Sequence, residues 1–283
     1  MTTIVVPLDG SSFSEAAIHV ATTIARRRQG RVELIRVVAP DAQESCDDYL
    51  QVAAARITDA PVSHQVVELD DGEHVADAIR RHVDPDPNAL VCMTAHGRSG
   101  LGAALLGTTT EAVIAQLGRP VLVVGPHCSP TWAQHRHLVI PLDGSGRAER
   151  ILPYAAAVSR AWDLDPWLVQ IAHPFDNEVA QHAEHVLERP ERDLRAQGLE
   201  PRTDFQWASN VPASIAGQAR VIGASLILMS SYVPTGVART LLGSVTMGVI
   251  HRAPCPVLVC PPDVLSGPIS DQVPLVGTGA DQG

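Results

Sequence analysis

The sequence predicts an α/β protein of two tandem domains, each an open five-stranded parallel sheet with helices on both faces. Three observations carry that expectation. The chain has 283 residues, 45% of them hydrophobic, which is long for one typical domain and about right for two. Long stretches also recur: "IVVPLDGSS" from Ile4 returns as "LVIPLDGSG" from Leu138, and "LLGTTTEAVIAQLGRPVLVVGP" from Leu105 returns as "LLGSVTMGVIHRAPCPVLVCPP" from Leu241. Pro7 recurs 134 residues on as Pro141, and Gly107 recurs 136 residues on as Gly243. Two distant markers keep nearly one offset, the mark of a duplicated domain. Within a copy, short apolar runs alternate with helical patterns, the order that builds parallel sheets.

The elements of the first copy follow in turn. Residues 4–6 are a β-branched run ending at Pro7 and read as a buried strand. Ser12 followed by Glu15 matches a capping box, and Phe13, Ala17, Val20 and Ile24 keep helical spacing. Arg26, Arg27 and Arg28 then place cations in the last turn, favourable to the helix dipole, before Gly30. Residues 32–38 form a second apolar strand, 51–57 suggest a helix, 63–69 alternate as a third strand, and 75–83 are helical. Two more buried strands, 89–93 and 121–124, flank a helix that starts near Gly107. Five strands alternating with four helices imply a Rossmann-like open sheet. The expected boundaries are a first domain at 1–126, a linker at 127–134, a second domain at 135–262 and a disordered tail at 263–283, rich in Gly, Pro, Asp and Gln.

Charge and composition narrow the function. Basic residues number 21 against 31 acidic, for a net charge of −10, so neither nucleic acid nor an anionic membrane is an expected partner. Every basic group is an arginine, which excludes Schiff-base chemistry and the lysine of a P-loop. The five cysteines are odd in number, form no C-x-x-C pair and mostly sit in apolar runs, which fits a reduced cytoplasmic location. "MTTIVVPLDG" has no basic stretch before its apolar run, and no run approaches membrane-spanning length, so neither export nor insertion is signalled.

Two loops carry the candidate chemistry. Open parallel sheets bind ligands beyond the carboxyl ends of their strands, where neighbouring connections run to opposite sides. "PLDGSS" follows the first strand, and "MTAHGRSGLGAALLGTT", residues 93–109, follows the fourth. Gly97, Gly100 and Gly102 allow close backbone approach to a ligand, and Gly107, Thr108 and Thr109 lead into a helix whose free N–H groups favour an anion. Arg98 adds a permanent positive charge, and phosphate is the natural guest. The plainer alternatives are a glycine turn with Thr108 as helix cap, and Asp9 and Asp143 as turn or cap residues; recurrence in two "PLDGS" pentapeptides favours a shared role, which fold preservation would also repeat.

These residues resemble a universal stress protein domain of the ATP-binding type. The family's phosphate motif runs Gly, two residues, Gly, nine residues, Gly, then Ser or Thr. Thr94 stands at the first glycine, Gly97 at the second, residues 98–106 are the nine, and Gly107 with Thr108 close the motif. The final "PVLVV" resembles the family's dimerisation edge. The resemblance implies that Asp9 and Val38 contact adenine and ribose, and that Gly97, Arg98, Gly107, Thr108 and Thr109 contact phosphates. Thr94 puts a β-carbon where the family has none, so the first backbone contact is expected to be weakened or shifted. The corresponding second-half positions are Asp143, Ala172, Gly243, Ser244 and Val245, but Ser230 and Val233 replace glycines and Pro234 removes a donor. Reduced binding is expected there.

Other candidates are weaker. His96, beside the loop, could act as a base, but its counterpart is Tyr232. His135 with His137 and His182 with His185 have ligand-like spacing without further converging ligands, so no metal site is expected. The function implied is an ATP-binding stress-response regulator, with or without Mg²⁺, that signals nucleotide state through domain or dimer arrangement to a downstream protein, most simply as a homodimer and not as an enzyme. The alternatives are a slow ATP hydrolase or phosphoryl-transfer enzyme, for which no acidic metal cluster is evident, and a nucleotide-free interaction module with vestigial pockets.

Overall fold

The computed structural model describes residues 2–40, 44–95, 106–173, 185–231, 242–262 and 264–266. The first half contains β1 (Thr3–Pro7), α1 (Ser12–Arg28), β2 (Arg31–Val38), α2 (Glu44–Ala55), β3 (Val62–Glu68), α3 (Val75–Val83), β4 (Leu90–Thr94), α4 (Thr108–Gln116) and β5 (Val121–Val124). The second repeats the order with β6 (His137–Leu142), α5 (Leu152–Trp162), β7 (Asp165–Ala172), α6 (Glu188–Arg195), β8 (Arg202–Trp207), α7 (Val211–Ile222), β9 (Ala224–Ser230), α8 (Ser244–Arg252) and β10 (Val257–Cys260). Among the described residues no helix is long and apolar enough to cross a membrane.

All ten strands join one sheet in the order β3-β2-β1-β4-β5-β10-β9-β6-β7-β8. Each half is parallel and the halves meet in one antiparallel seam, where Leu122 lies opposite Leu258 and Val123 opposite Val257. The last strand of each half is therefore flanked on both sides. Both seam strands are four-residue apolar runs, VLVV and VLVC, buried throughout, as a central strand covered on both faces requires. The reversal at the seam points the carboxyl ends of the two halves' strands in opposite directions. Right-handed crossovers place α1 and α2 on one face of the sheet and α3 with α4 on the other. The buried apolar residues of both halves form a single cluster that includes Trp132 of the linker.

That linker is a fastened segment. Trp132 opens a short 3₁₀ turn, Trp132–Gln134, and is buried. Arg27 donates to the carbonyl of Ala133, Ser225 Oγ to the carbonyl of His135, and Ser129 N–H to the carbonyl of Pro254 at 2.8 Å. The seam is equally close: a Cβ on Gly125 would lie 2.0 Å from the Ile250 carbonyl oxygen, a gap that admits only glycine.

Several local expectations are corrected. The cap of α1 is Ser11, whose Oγ accepts from Ser14 N–H at 3.2 Å; Ser12 is already the first helical residue and Glu15 makes no capping box. The cause lies one turn upstream, where Asp9 holds Ser11. Glu15 instead accepts from Tyr49 Oη at 3.1 Å and Arg56 Nη1 at 3.0 Å. Phe13 is 59% exposed although Ala17, one turn on, is fully buried: its ring lies on a cleft wall with Ala16 and His19. The second helix starts at Glu44, ahead of the expected residue 51, and ends at Ala55. His185 lies in the turn before α6, with Nδ1 2.7 Å from Glu188, and His182 falls outside the described residues. His137 engages the Ile222 carbonyl at 2.7 Å through Nδ1, while its ring stacks on His135. Within the tail expected at 263–283, Val264–Ser266 form a short 3₁₀ turn with Val264 buried in the core, and the residues beyond 266 lie outside the described residues.

Candidate functional site

The site is built where β1 pairs with β4, through Ile4 opposite Leu90 and Val5 opposite Val91. The connection from β1 leads to β2 on one side and that from β4 to β5 on the other, so the turns after β1 and β4 flank one crevice.

The first wall is the Asp9 turn. Asp9 Oδ1 accepts from Ser11 N–H at 2.9 Å and from Ser11 Oγ at 2.6 Å. Gly10 adopts φ +86°, a left-handed conformation that disfavours a side chain. A Cβ there would also lie 2.9 Å from Arg36 Nη1. The second half reproduces this turn: Asp143 Oδ1 accepts from Ser145 N–H at 2.9 Å and from Ser145 Oγ at 2.6 Å, with Gly144 at φ +80°. Both aspartates thus do the work of a turn residue. The plainer alternative describes their observed hydrogen bonds.

The opposite wall is the start of α4. Ala95 N–H reaches the Val124 carbonyl at 3.0 Å, and Gly107 N–H reaches the Ala95 carbonyl at 2.8 Å, which closes the neck of the loop between them. Gly107, not Thr108, is the N-cap, and it has no side-chain cap. Thr108 and Thr109 are exposed, while Thr110 turns inward and donates to the Thr94 carbonyl at 3.0 Å. Gly243 caps α8 in the same way, Ser244 and Val245 are exposed, and Thr246 donates to the Ser230 carbonyl at 3.4 Å. Two helix N-termini therefore present backbone N–H groups that no cap side chain occupies, a setting that favours an anion.

Val38 ends β2, is buried, and gives its carbonyl to Leu69 N–H at 2.9 Å; Ala172 ends β7 and gives its carbonyl to Ala208 N–H at 2.9 Å. The structure thus places Asp9, Val38, Thr94, Gly107, Thr108 and Thr109 at carboxyl ends of neighbouring strands. Asp143, Ala172, Gly243, Ser244 and Val245 occupy the matching end of the second half. Gly97, Arg98, His96, Gly100 and Gly102 lie outside the described residues, as do Tyr232, Val233 and Pro234.

Sequence reasoning missed one pair. Arg36 lies under the Asp9 turn, with its guanidinium carbon 5.2 Å from the centre of the Tyr49 ring. Burial and the neighbouring Glu15 carboxylate push the Tyr49 hydroxyl up to about 12, so it remains a neutral donor. At the same place in the second half stands Gln170, 1% exposed, with Nε2 3.0 Å from the position a Gly144 Cβ would take. Gln170 Oε1 meets no donor among the described residues. Alignment of the two "PLDG" copies alone would have paired Arg36 with Gln170, since both stand 134 residues apart. Burial also raises the Glu111 carboxyl, in the first turn of α4.

A family model described as the universal stress protein family matches residues 1–125 and again residues 134–261. The chain belongs to the universal stress protein family. Its two matched segments meet the two halves of the sheet. A universal stress protein of Methanocaldococcus jannaschii is 27% identical over 140 residues, covering 44% of this chain and 81% of the relative. The crystal structure of a universal stress protein from Archaeoglobus fulgidus superposes with a TM-score of 0.64 at 19% identity, over 92% of this chain and 98% of the other. A universal stress protein structure described as putative, from Pseudomonas aeruginosa, gives 0.62 at 14% identity, over 94% and 95%. At these identities the likeness is one of fold, and it extends over both halves of this universal stress protein.

Proposed function

We propose that this chain is an ATP-binding regulator of the stress response, with adenine nucleotide held in the first-half crevice and its occupancy read out through the arrangement of the two halves. The observation that carries the reading is the pairing of a left-handed Asp9–Gly10 turn with the uncapped N-terminus of α4 across the β1/β4 switch point. The residues fit an adenine nucleotide: Thr108, Thr109 and the first N–H groups of α4 would hold phosphate, and Asp9 with Val38 would hold the ribose and base. When bound, the nucleotide supplies charge and a rigid bridge between two strand ends.

The second half keeps the same turn and the same uncapped helix, but Val245 replaces the Thr109 hydroxyl. We therefore read it as the weaker site. The absence of lysine from the whole sequence supports binding over phosphoryl transfer. A homodimer formed through the last strands would need edges that β5 and β10 already use on each other, so a second chain pairs through other surfaces. Sedimentation equilibrium tests that point.

Native mass spectrometry of the full chain with ATP tests the main reading. One nucleotide per chain is expected, and two where the second site also fills. Gly107 has extended backbone angles, φ −62° and ψ 139°, that accept a side chain. The double variant Asp9→Ala, Gly107→Glu should therefore keep its circular dichroism spectrum while losing nucleotide. Unchanged ATP affinity in that variant would overturn the site assignment, and no binding at millimolar ATP would favour the interaction module.

A further inference from the structure

A cleft of about 880 Å³ opens where both halves and the linker meet; it borders the crevice at Thr94 and Ser12, while Asp9, Val38 and Gly107 are not among its lining residues. One wall is the outward face of α1, with Phe13, Ala16 and His19; the floor includes Val20, Ala95 and Val124; the linker contributes His127, Cys128 and Trp132. The far wall belongs to the second half and consists of His251 and Arg252 at the end of α8.

Two properties of this cleft point to its occupant. Val20, Ala95, Val124 and Trp132 are buried and give it an apolar floor, while Phe13 stands half-uncovered at the mouth. Among the described residues the ionisable groups on its walls are imidazoles, one thiol and one guanidinium, with no carboxylate, in a chain with 31 acidic residues. Burial pushes the Cys128 thiol up to about 12, so it is a neutral part of the surface. Arg252 donates to the Gly248 carbonyl at 2.9 Å in its own helix, and no carboxylate lies within ion-pair distance among the described residues. Its charge also offsets the helix dipole, yet the matching turn of α4 closes with Gln116, and Ala115 stands opposite His251. The cation belongs to one side of the pseudo-symmetric pair only.

An apolar floor with one fixed cation complements an amphipathic anion. We propose that this cleft binds a small molecule of that class, its apolar body against Phe13, Val20 and Trp132 and its carboxylate, sulfonate or phosphate head on Arg252. Its size lies in the usual range for small-molecule sites. A ligand held there touches both halves at once, and the contacts proposed for it, Phe13, Val20, Trp132 and Arg252, are none of those proposed for the nucleotide.

The probe is 8-anilinonaphthalene-1-sulfonate, titrated into the full chain by fluorescence, with stoichiometry from calorimetry. One saturable site per chain is expected. Arg252→Gln should weaken it about tenfold, Arg252→Lys should recover most of the loss, and Ala16→Trp, on the exposed face of α1, should fill the cleft and remove binding. Asp9→Ala and saturating ATP should leave it unchanged. Thermal melts confirm that each variant is folded, and Ala16→Trp decides the matter if Arg252→Gln is not. Absence of saturable binding, equal affinity in Arg252→Gln and Ala16→Trp, competitive displacement by ATP, or one probe per two chains would each overturn the inference.

Discussion

Gly107 and Ala95, twelve residues apart, are joined by one backbone hydrogen bond of 2.8 Å that draws the ends of the β4–α4 loop together. This bond fixes where the N-terminus of α4 stands relative to β4, whatever the loop between them does.

Gly107→Pro tests that bond in isolation. Its φ of −62° suits a proline ring, so the substitution removes the N–H with little backbone strain. We expect a loss of about 0.5–1.5 kcal/mol in urea unfolding, together with weaker ATP binding. Unchanged stability would mean that the neck contributes nothing.

At the seam, Gly125→Ala should be far more damaging than an ordinary glycine substitution. The added methyl would meet the Ile250 carbonyl oxygen at 2.0 Å, backbone that cannot rotate away. Overpacking of this kind costs about 1–3 kcal/mol or more. Hydrogen exchange should locate the disturbance in β5, β10 and the end of α8, and protection there equal to wild type would refute the contact.

Trp132 separates packing from hydrogen bonding. Its Nε1 is buried and meets no acceptor among the described residues. Trp132→Phe keeps most of the apolar volume and discards the unpaired donor, so its stability should stay within about 1 kcal/mol of wild type. Trp132→Ala opens a cavity between linker and core and should cost about 3–5 kcal/mol. Comparable losses in both variants would show that the indole N–H does have a partner.

Acid titration follows from Glu73. Its carboxylate accepts from Arg81 at 2.7 Å and from the Asp70 N–H at 2.9 Å, which lowers it from 4.5 to about 2. A depressed carboxylate stabilises the fold fully above its unfolded value and loses that contribution as pH falls through the folded one. Glu73→Gln should thus be less stable than wild type at pH 6, with the difference shrinking below about pH 4.5 and vanishing near pH 2. A difference that is constant with pH would contradict the ion pair.

Much of this architecture was legible because the duplication repeats its markers. The strands at 4–6, 32–38, 89–93 and 121–124 declare themselves by apolar runs, and each matches its observed strand to within a residue. The 75–83 helix matches in full. What stayed hidden depends on contacts between distant residues. Ser11 captured the cap from Ser12 because the Asp9 carboxylate two residues earlier orients its hydroxyl, a geometry that helix-start patterns do not contain. Phe13 keeps helical spacing with Ala17, yet periodicity cannot say that one of them lines a cleft and the other the core. Trp132 sits in a stretch with every mark of a surface connector, and only its landing place between α1 and β9 makes it core. In the candidate site, Asp9 and Gly107 were legible from motif spacing; Arg36 and Gln170 were not, since their relevance comes from the crossing of β2 and β7 beneath the turns.

The antiparallel seam between β5 and β10 has a further consequence for how the two halves could evolve. Two separate chains that meet through such strands associate only above some threshold of abundance, and each must remain a mirror of the other. Covalent fusion makes the encounter intramolecular and independent of dilution. It also frees each copy to mutate without spoiling its mate's counterpart, and so Arg36 in one half can correspond to Gln170 in the other, and Thr109 to Val245, within a single sheet.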